Sequence, residues 1–362
     1  MQQTSDLAKL RILELGDAHY FKLAYPERTT LVWTGARVLP KPDQLDATAT
    51  PGAVLRALND AKRGRYDVVV AYPPRYSPSN PRYWGKAFLQ RPWRPWSALT
   101  RAHGASYLRY VELPVPLVLA DWDDAFGLSR ATISLMDRAT LIFKRELPVD
   151  RWHVLYGGAH PHLPTLRFRL NEKWAARIGK LRPISLPQLS FDPSLAHGPF
   201  PDKIADLFFA GSVRGNSTVR QDGLAEIERL RSRGVRVDIP ERPLPVSEFR
   251  RRMAQAWLAW SPEGLGWDCN RHYEAALGQT VPVINYPTIL RYAPLEEGVH
   301  AFHYAPEAGG LEAVVMRALA DKERLRAMAI AARDHALAHH TVRAVCDHIL
   351  ASALTASRKA GG

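Results

Sequence analysis

A glycine-containing turn in the second half of the chain carries side chains that could bind an anion. The turn Gly211–Gly215 contains Ser212 and Arg214, and Arg220 follows at the start of a predicted helix. Backbone N–H groups at glycine turns and helix N-termini concentrate positive potential, and guanidinium groups pair with phosphates. We therefore expect this turn to bind the anionic part of a ligand.

A second turn, Ser261–Trp267, lies about fifty residues further along the chain and contains Glu263. Arg271 and Glu274 follow it at a spacing of three residues. On a predicted helix this spacing places the guanidinium and the carboxylate on one face. The second turn thus predicts a site with both a cation and a carboxylate.

The segment that carries both turns alternates short apolar runs with amphipathic stretches. Strand-like runs occur at 206–211, 235–239, 257–260 and 281–284, and helical periodicity lies between them. This alternation predicts βαβ units and a parallel sheet. Because ligands of such sheets bind at the carboxyl ends of the strands, the two turns are placed to form a site.

These motifs resemble the nucleotide-binding half of the GT-B glycosyltransferases. The likeness rests on Phe208-Phe209-Ala210-Gly211-Ser212, on the run Arg271–Ile284 and on the closing segment His340–Arg343. Within that superfamily the chain is most similar to the bacterial group 1-like, CgeB-like set, with a fainter likeness to the exostosin domain. The likeness implies an α/β fold of two Rossmann-like domains facing a cleft, with the last helix packing back on the first domain.

The resemblance also implies roles for individual residues. Glu274 corresponds to the glutamate that hydrogen-bonds the donor ribose, and Arg271 to the arginine near the phosphates. In many retaining members seven residues separate that glutamate from an earlier one, in a Glu-x7-Glu block, whereas ten residues separate Glu263 from Glu274. Glu263 is therefore either a catalytic residue facing the donor sugar or an acid at a helix N-terminus. The resemblance implies a nucleotide-sugar as co-substrate, with UDP among the candidate nucleotides and the base left open, and no cofactor is expected.

The first half of the chain opens with a predicted strand, Leu10–Leu15, that ends in Gly16-Asp17-Ala18-His19. A predicted helix at 53–61 and a strand at 66–71 continue a Rossmann-like pattern. Asp17 or His19 is thus a candidate acceptor-side base, and the alternative is a role in forming the turn.

A basic aromatic insertion follows at 72–112. No acidic residue occurs between Val68 and Val111, an interval that holds seven cations and nine aromatic residues. Aromatic faces stack on sugars and bases, and arginine pairs with phosphates or carboxylates. The insertion therefore predicts acceptor binding or docking on an anionic membrane face, and the alternative is a solvated insertion whose tryptophans pack on the first domain. The candidate acceptor-binding residues are Trp84, Arg91, Trp93, Arg94 and Trp96.

An apolar run ending in Asp121-Trp122-Asp123 offers a different interpretation. An Asp-x-Asp pair after a strand is the metal signature of the GT-A glycosyltransferases, in which carboxylates hold a divalent ion. The doubly wound pattern around Glu274 argues against GT-A, so a metal-independent reaction is expected. The pairs His160/His162 and His339/His340 lack carboxylates or cysteines at ligand spacing, and no metal site is predicted there.

Composition indicates a globular chain of two domains. It has 362 residues, of which 46% are hydrophobic. The predicted domains are an N-terminal acceptor domain (1–190), a linker (191–203), a nucleotide-sugar domain (204–340) and a C-terminal helix with a frayed tail (341–362). Two cysteines, a start without signal-peptide features and the lack of a long apolar run favour a soluble cytoplasmic protein.

The net charge of +13 is typical of a protein with an anionic partner or surface, and the alternative is that it serves only solubility. The predicted function is transfer of a sugar from a nucleoside diphosphate donor to a glycan or other cell-surface acceptor. Peripheral contact with the acidic inner face of a membrane fits the same charge. Two other classes stay open, namely a sugar transferase or binder acting on nucleic acid, and a protein that binds nucleotide-sugars without turnover.

Overall fold

The computed structural model describes residues 9–34, 50–73, 104–155, 172–213 and 217–361, together with Leu7. The chain forms two compact units. Unit 1 comprises Met1–Ile184 and Val345–Gly362, and unit 2 comprises Ser185–Ala344. The chain therefore leaves unit 1 once and returns to it with its last helix.

A six-stranded sheet lies at the centre of unit 1, in the spatial order β2-β1-β3-β4-β5-β6. All its pairings are parallel. The strands are β1 (Ile12–Gly16), β2 (Thr29–Trp33), β3 (Val68–Ala71), β4 (Leu117–Asp121), β5 (Leu141–Lys144) and β6 (Leu181–Pro183). The described helices before β6 are α1 (Tyr20–Ala24), α2 (Pro51–Lys62), α3 (Arg130–Leu135) and α4 (Glu172–Gly179), with 3₁₀ turns at Gly104–Tyr110 and Arg151–Leu155.

Unit 2 is built on a five-stranded parallel sheet in the order β11-β10-β9-β7-β8. The strands are β7 (Ala205–Phe208), β8 (Val237–Asp238), β9 (Ala256–Trp260), β10 (Val281–Asn285) and β11 (Phe302–Tyr304). The helices are α5 (Pro193–His197), α6 (Thr218–Ser232), α7 (Val246–Ala254), α8 (Asn270–Leu277), α9 (Gly310–Leu319) and α10 (Lys322–His339).

Alternation along the strands of unit 2 determines which helices cover each face. Leu258 and Trp260 of β9 pack in a cluster with side chains from α6, α9 and α10. Ala259, between them, packs on the opposite face with Met253 of α7 and Ala275 of α8. Successive side chains of a strand point to opposite faces, so helices cover both sides of this sheet, as parallel sheets require.

The last helix, α11 (Val342–Gly361), belongs for most of its length to unit 1. Val345, Ile349 and Leu350 are fully buried. The hydroxyl of Tyr25 donates a hydrogen bond to the carboxylate of Asp347. The expected two-domain α/β fold, with a final helix packed on the first unit, is confirmed. Among the described helices, none is long and apolar enough to span a membrane.

Candidate functional site

The strand order of unit 2 changes direction at β7. This strand has β8 on one side and β9 on the other, so the connections after β7 and β9 leave the sheet next to each other. Such a switch point opens a crevice at the carboxyl edge of the sheet, where ligands bind. The two predicted turns, at Gly211 and at Glu263, are the connections that follow these two strands.

Arg271, in the first turn of α8, extends to this edge. Its Cζ lies 5.2 Å from the ring centroid of Phe209. The Nε and Nη1 atoms are shielded from solvent, and neither donates a hydrogen bond to any described residue. Burial, followed by repulsion from Arg220, lowers the pKa of Arg271 to about 10. A buried donor left unsatisfied costs about 1–3 kcal/mol, so an anion at this position would stabilise the site.

Arg220, in the first turn of α6, holds the two turns together. Its Nε donates to the carbonyl oxygen of Glu263 at 2.8 Å, and its Nη1 donates to that of Ser212 at 2.8 Å. The side chain is buried. The guanidinium group of Arg220 therefore links the two turns by hydrogen bonds. Arg220 and Arg271 both lie at the switch point.

Glu263 is fixed against the end of β10. Its backbone N–H donates to Oδ1 of Asn285 at 2.9 Å, and Nδ2 of Asn285 donates to its carboxylate at 3.1 Å. A turn closed by Gly264 N–H and the carbonyl of Gly266, with Leu265 exposed, takes up the extra residues that separate Glu263 from α8. Sequence reasoning missed Asn285. Its position, as a polar residue at the end of an apolar strand, is the signal that could have identified it.

Glu274 lies on α8 three residues after Arg271. It is partly buried and lines a small cavity with Phe191, Arg250 and Leu277. Burial raises the pKa of Glu274, while the charges of Arg250 and Arg271 act in the opposite direction. The Glu274 carboxylate is therefore partly buried in this cavity and interacts electrostatically with two cations.

A second cavity, of about 150 Å³, opens at the carboxyl edge of the unit 1 sheet. It lies at the switch point between β1 and β3, which are neighbours in the sheet. Its polar lining consists of Asp17, Tyr20, Tyr72, Asp121, Asp123 and Ser129. His19 is not among the described residues that line it; its ring contacts Trp33 edge-on with centroids 5.7 Å apart.

Glu14 lies beneath this cavity, in the middle of β1, and is fully buried. Its carboxylate accepts hydrogen bonds from the Tyr72 hydroxyl at 2.6 Å and from the backbone N–H groups of Phe21 and Lys22. Desolvation raises the pKa of Glu14 to about 7. Sequence reasoning missed this residue, although an acid inside an apolar strand is a recognisable signal.

Asp121 and Asp123 lie beside a buried cation of the neighbouring strand β5. Nζ of the buried Lys144 donates to Asp121 at 3.1 Å and to the carbonyl oxygen of Asp123 at 3.2 Å. Within the described ranges, no group of three or more histidine, cysteine or acidic side chains could hold a metal ion. The buried ammonium group of Lys144 therefore compensates the charge of the Asp121 carboxylate.

Several predicted residues lie outside the described part of the chain. These are Arg214 and Gly215 of the first turn and the predicted acceptor-binding residues Trp84, Arg91, Trp93, Arg94 and Trp96.

The chain matches no protein-family model and no curated protein. Its fold is similar to that of an alpha-glucosyltransferase in complex with UDP and a 13-mer DNA containing a central A:G mismatch. That structure is 11% identical, with a TM-score of 0.55 over 96% of this chain and 100% of the other. A sucrose-phosphate synthase from Thermosynechococcus elongatus is 11% identical, with a TM-score of 0.50 over 97% and 99%. HepE from Anabaena, in complex with UDP, is 14% identical, with a TM-score of 0.49 over 95% and 98%.

The first two likenesses, together with the two parallel-sheet units and the returning last helix, define the class of fold. The chain has the GT-B glycosyltransferase fold.

Proposed function

We propose that this protein transfers a sugar from a nucleoside diphosphate sugar, of UDP type, to a glycan or other cell-surface acceptor without a metal ion. The observation that carries the proposal is the pair Arg220 and Arg271 at the switch point of unit 2. Two cations meet there, and two buried donors of Arg271 find no acceptor among the described residues. A diphosphate supplies the missing acceptors and charge.

Glycosyl transfer breaks the bond between the anomeric carbon and the β-phosphate oxygen, and the negative charge grows on the leaving diphosphate. Fixed guanidinium groups and loop N–H groups stabilise that charge without reorganising. Arg271 and Arg220 would supply this stabilisation beside Gly211 and Ser212. Glu274 would accept hydrogen bonds from the ribose hydroxyls, and Glu263, fixed by Asn285, would bind the donor sugar.

The cavity of unit 1 supports a separate role for Asp17. Its carboxylate lines a polar cavity at the carboxyl edge of the sheet, where an acceptor hydroxyl could donate a proton. We assign Asp17 as the candidate base. His19 is the weaker candidate because its ring packs on Trp33 and burial lowers its pKa.

Calorimetry with UDP and UDP-sugars, with and without EDTA, tests the proposal. We expect UDP to bind equally well in both conditions, and slow release of UDP from the matching UDP-sugar through hydrolysis. Failure of every nucleoside diphosphate to bind would overturn the donor site. Binding that EDTA abolishes would overturn metal independence, and binding without any turnover would favour a protein that only binds nucleotide-sugars.

Nucleic acid is a second candidate acceptor. The net charge of +13 favours an anionic partner, and one structural neighbour was solved with DNA. Titration of duplex DNA at several salt concentrations tests this alternative, because each phosphate contact contributes a slope of about −0.9 to log K against log salt. The same charge supports peripheral binding to an acidic membrane, and the run Arg271–Ile284 supports a relation to the CgeB-like set.

A further inference from the structure

Cys269 is the residue immediately before helix α8, at its N-cap, and its thiol borders the proposed donor site. It is partly exposed, whereas the other cysteine, Cys346, is fully buried. A Cβ added at Gly264 would lie 3.6 Å from Sγ of Cys269 and 2.9 Å from Nη2 of Arg220. Thiol and guanidinium therefore border the same glycine of the turn after β9.

The surroundings of this thiol favour its ionised form. Arg271 is two residues away, with two shielded donors that no described residue satisfies, and the two groups interact electrostatically. The N-terminus of α8 adds positive potential, and thiolates are stabilised at helix N-termini and beside arginines.

Acidic groups and carbonyl oxygens oppose this effect only in part. Asp268 is already engaged, because it accepts hydrogen bonds from Tyr273 and from the N–H of Leu186. The Cys269 thiol donates long hydrogen bonds to the carbonyl oxygens of Pro262 and Gly266, at 3.9 and 3.7 Å, and these favour the neutral thiol only weakly. Among the described residues, the charged and titratable side chains near the thiol include Arg220, Glu263, Asp268, Arg271 and His272. His272 is kept neutral because burial lowers its pKa to about 3.

We propose that Cys269 is a reactive thiol within the donor site, that a low-molecular-weight disulfide modifies it, and that modification and donor binding exclude each other. The inference rests on the proposed donor site. The Cys269 thiolate attacks one sulfur of the disulfide, and a bond forms between Sγ and that sulfur. The original S–S bond breaks, and the other half leaves as a thiolate that takes up a proton. The adduct occupies the space between Arg220 and Arg271.

Alkylation with iodoacetamide, mapped by mass spectrometry, tests the reactivity of the thiol. The native protein contains only two cysteines, so each adduct is assigned without ambiguity. We expect Cys269 to react and Cys346 to stay unmodified in the folded protein. The rate at Cys269 should rise with pH around a midpoint below about 8.5, the value of an ordinary thiol, and Arg271→Gln should move that midpoint upward. A midpoint at or above 8.5 would overturn the proposal.

Protection by UDP tests the location of the thiol. At ten times its Kd, UDP should slow modification of Cys269 by roughly tenfold, because only the free protein reacts. Calorimetry on the same sample separates the hypothesis of a donor site from the hypothesis that Cys269 lies within it. If UDP binds and modification is not slowed, the inference about Cys269 is wrong and the donor site stands. If UDP does not bind at all, the proposed function fails, and the alkylation midpoint still decides whether the thiol is activated.

The functional consequence is measured with glutathione disulfide. Pretreatment should remove UDP binding from the wild type and from Cys346→Ser, and dithiothreitol should restore it. Cys269→Ser should bind UDP identically before and after pretreatment. Loss of binding in Cys269→Ser after the same treatment would show that another effect is responsible and would overturn the proposal.

Discussion

Gly211 and Arg271 are in direct contact across the switch point of unit 2. A Cβ on residue 211 would overlap Nη2 of Arg271, so the absence of a side chain at this turn determines how far the guanidinium can reach. The contact joins the connection after β7 to the first turn of α8. The cation of the proposed diphosphate site is therefore positioned by a glycine from another part of the chain.

Substituting alanine for this glycine tests the relationship. In Gly211→Ala the new methyl group displaces the guanidinium of Arg271, and we expect UDP affinity to fall by at least about tenfold, or roughly 1.4 kcal/mol. Gly179→Ala is the matched control, since a Cβ at Gly179 meets nothing within 4 Å. Calorimetry with UDP measures both variants. Equal affinity in Gly211→Ala and the wild type would contradict the proposed position of the diphosphate.

Arg271→Gln removes the charge and keeps part of the side-chain volume. Hydrogen bonds to charged groups contribute about 1.5–3 kcal/mol, so the variant should bind UDP roughly 10- to 100-fold more weakly. The affinity of the variant for uridine, which has no phosphate, should fall much less. Arg251→Gln, at an exposed position on α7, is the control and should bind UDP as the wild type does. An equal loss for uridine and UDP would place Arg271 away from the phosphates.

Ligands with and without the ribose hydroxyls test whether Glu274 binds the ribose. Glu274→Gln should weaken UDP binding by about 1.5–3 kcal/mol if its carboxylate accepts hydrogen bonds from the ribose hydroxyls. The same substitution should leave the affinity for 2′,3′-dideoxy-UDP unchanged, because that ligand lacks both donors. Glu323→Gln, on the exposed first turn of α10, serves as the control. Equal effects on both ligands would exclude a contact with the ribose.

The buried Glu14 predicts a pH dependence of stability in unit 1. Its pKa is about 7 in the folded state, whereas an unfolded glutamate has a pKa of about 4.3. Between these two pKa values the carboxyl group of Glu14 keeps its proton in the folded state, whereas the unfolded chain has released it. The stability that this bound proton contributes is lost as pH rises through 7. Relative to Glu14→Gln, the wild type should lose roughly 2–3 kcal/mol of unfolding free energy between about pH 5 and pH 7.5.

Urea titrations at the two pH values, repeated for both proteins, provide the measurement. The exposed Glu323→Gln variant should show no comparable change. A difference between the wild type and Glu14→Gln that stays constant with pH would show that Glu14 is ionised in the folded protein throughout this range.

Local sequence patterns predicted the sheet and the helix that positions the candidate donor site. The spacing of Arg271 and Glu274 matches their places on α8, and the glycine turn does follow the end of β7. Helix spacing and turn positions depend on residues that are close together in the chain. Hydrophobic periodicity and the residue types typical of turns therefore predict them directly.

Contacts between distant residues could not be predicted in the same way. Arg220 donates to a carbonyl oxygen 43 residues away, and Glu14 accepts from a hydroxyl 58 residues away. The contact between Arg220 and Glu263 forms because β9 lies beside β7 in the sheet. No local sequence pattern encodes this strand order. The pairing of Asp121 with Lys144, from the neighbouring strand β5, is another contact that no local pattern encodes.

Helix α11 has a consequence for synthesis on the ribosome. Unit 2 is one continuous stretch, Ser185–Ala344, and all its residues are translated before Val345. Unit 1 requires Ile349 and Leu350, which fill its interior from the last helix. The interior of unit 1 is therefore completed only after unit 2 has been translated, and its apolar surface stays uncovered until helix α11 is made.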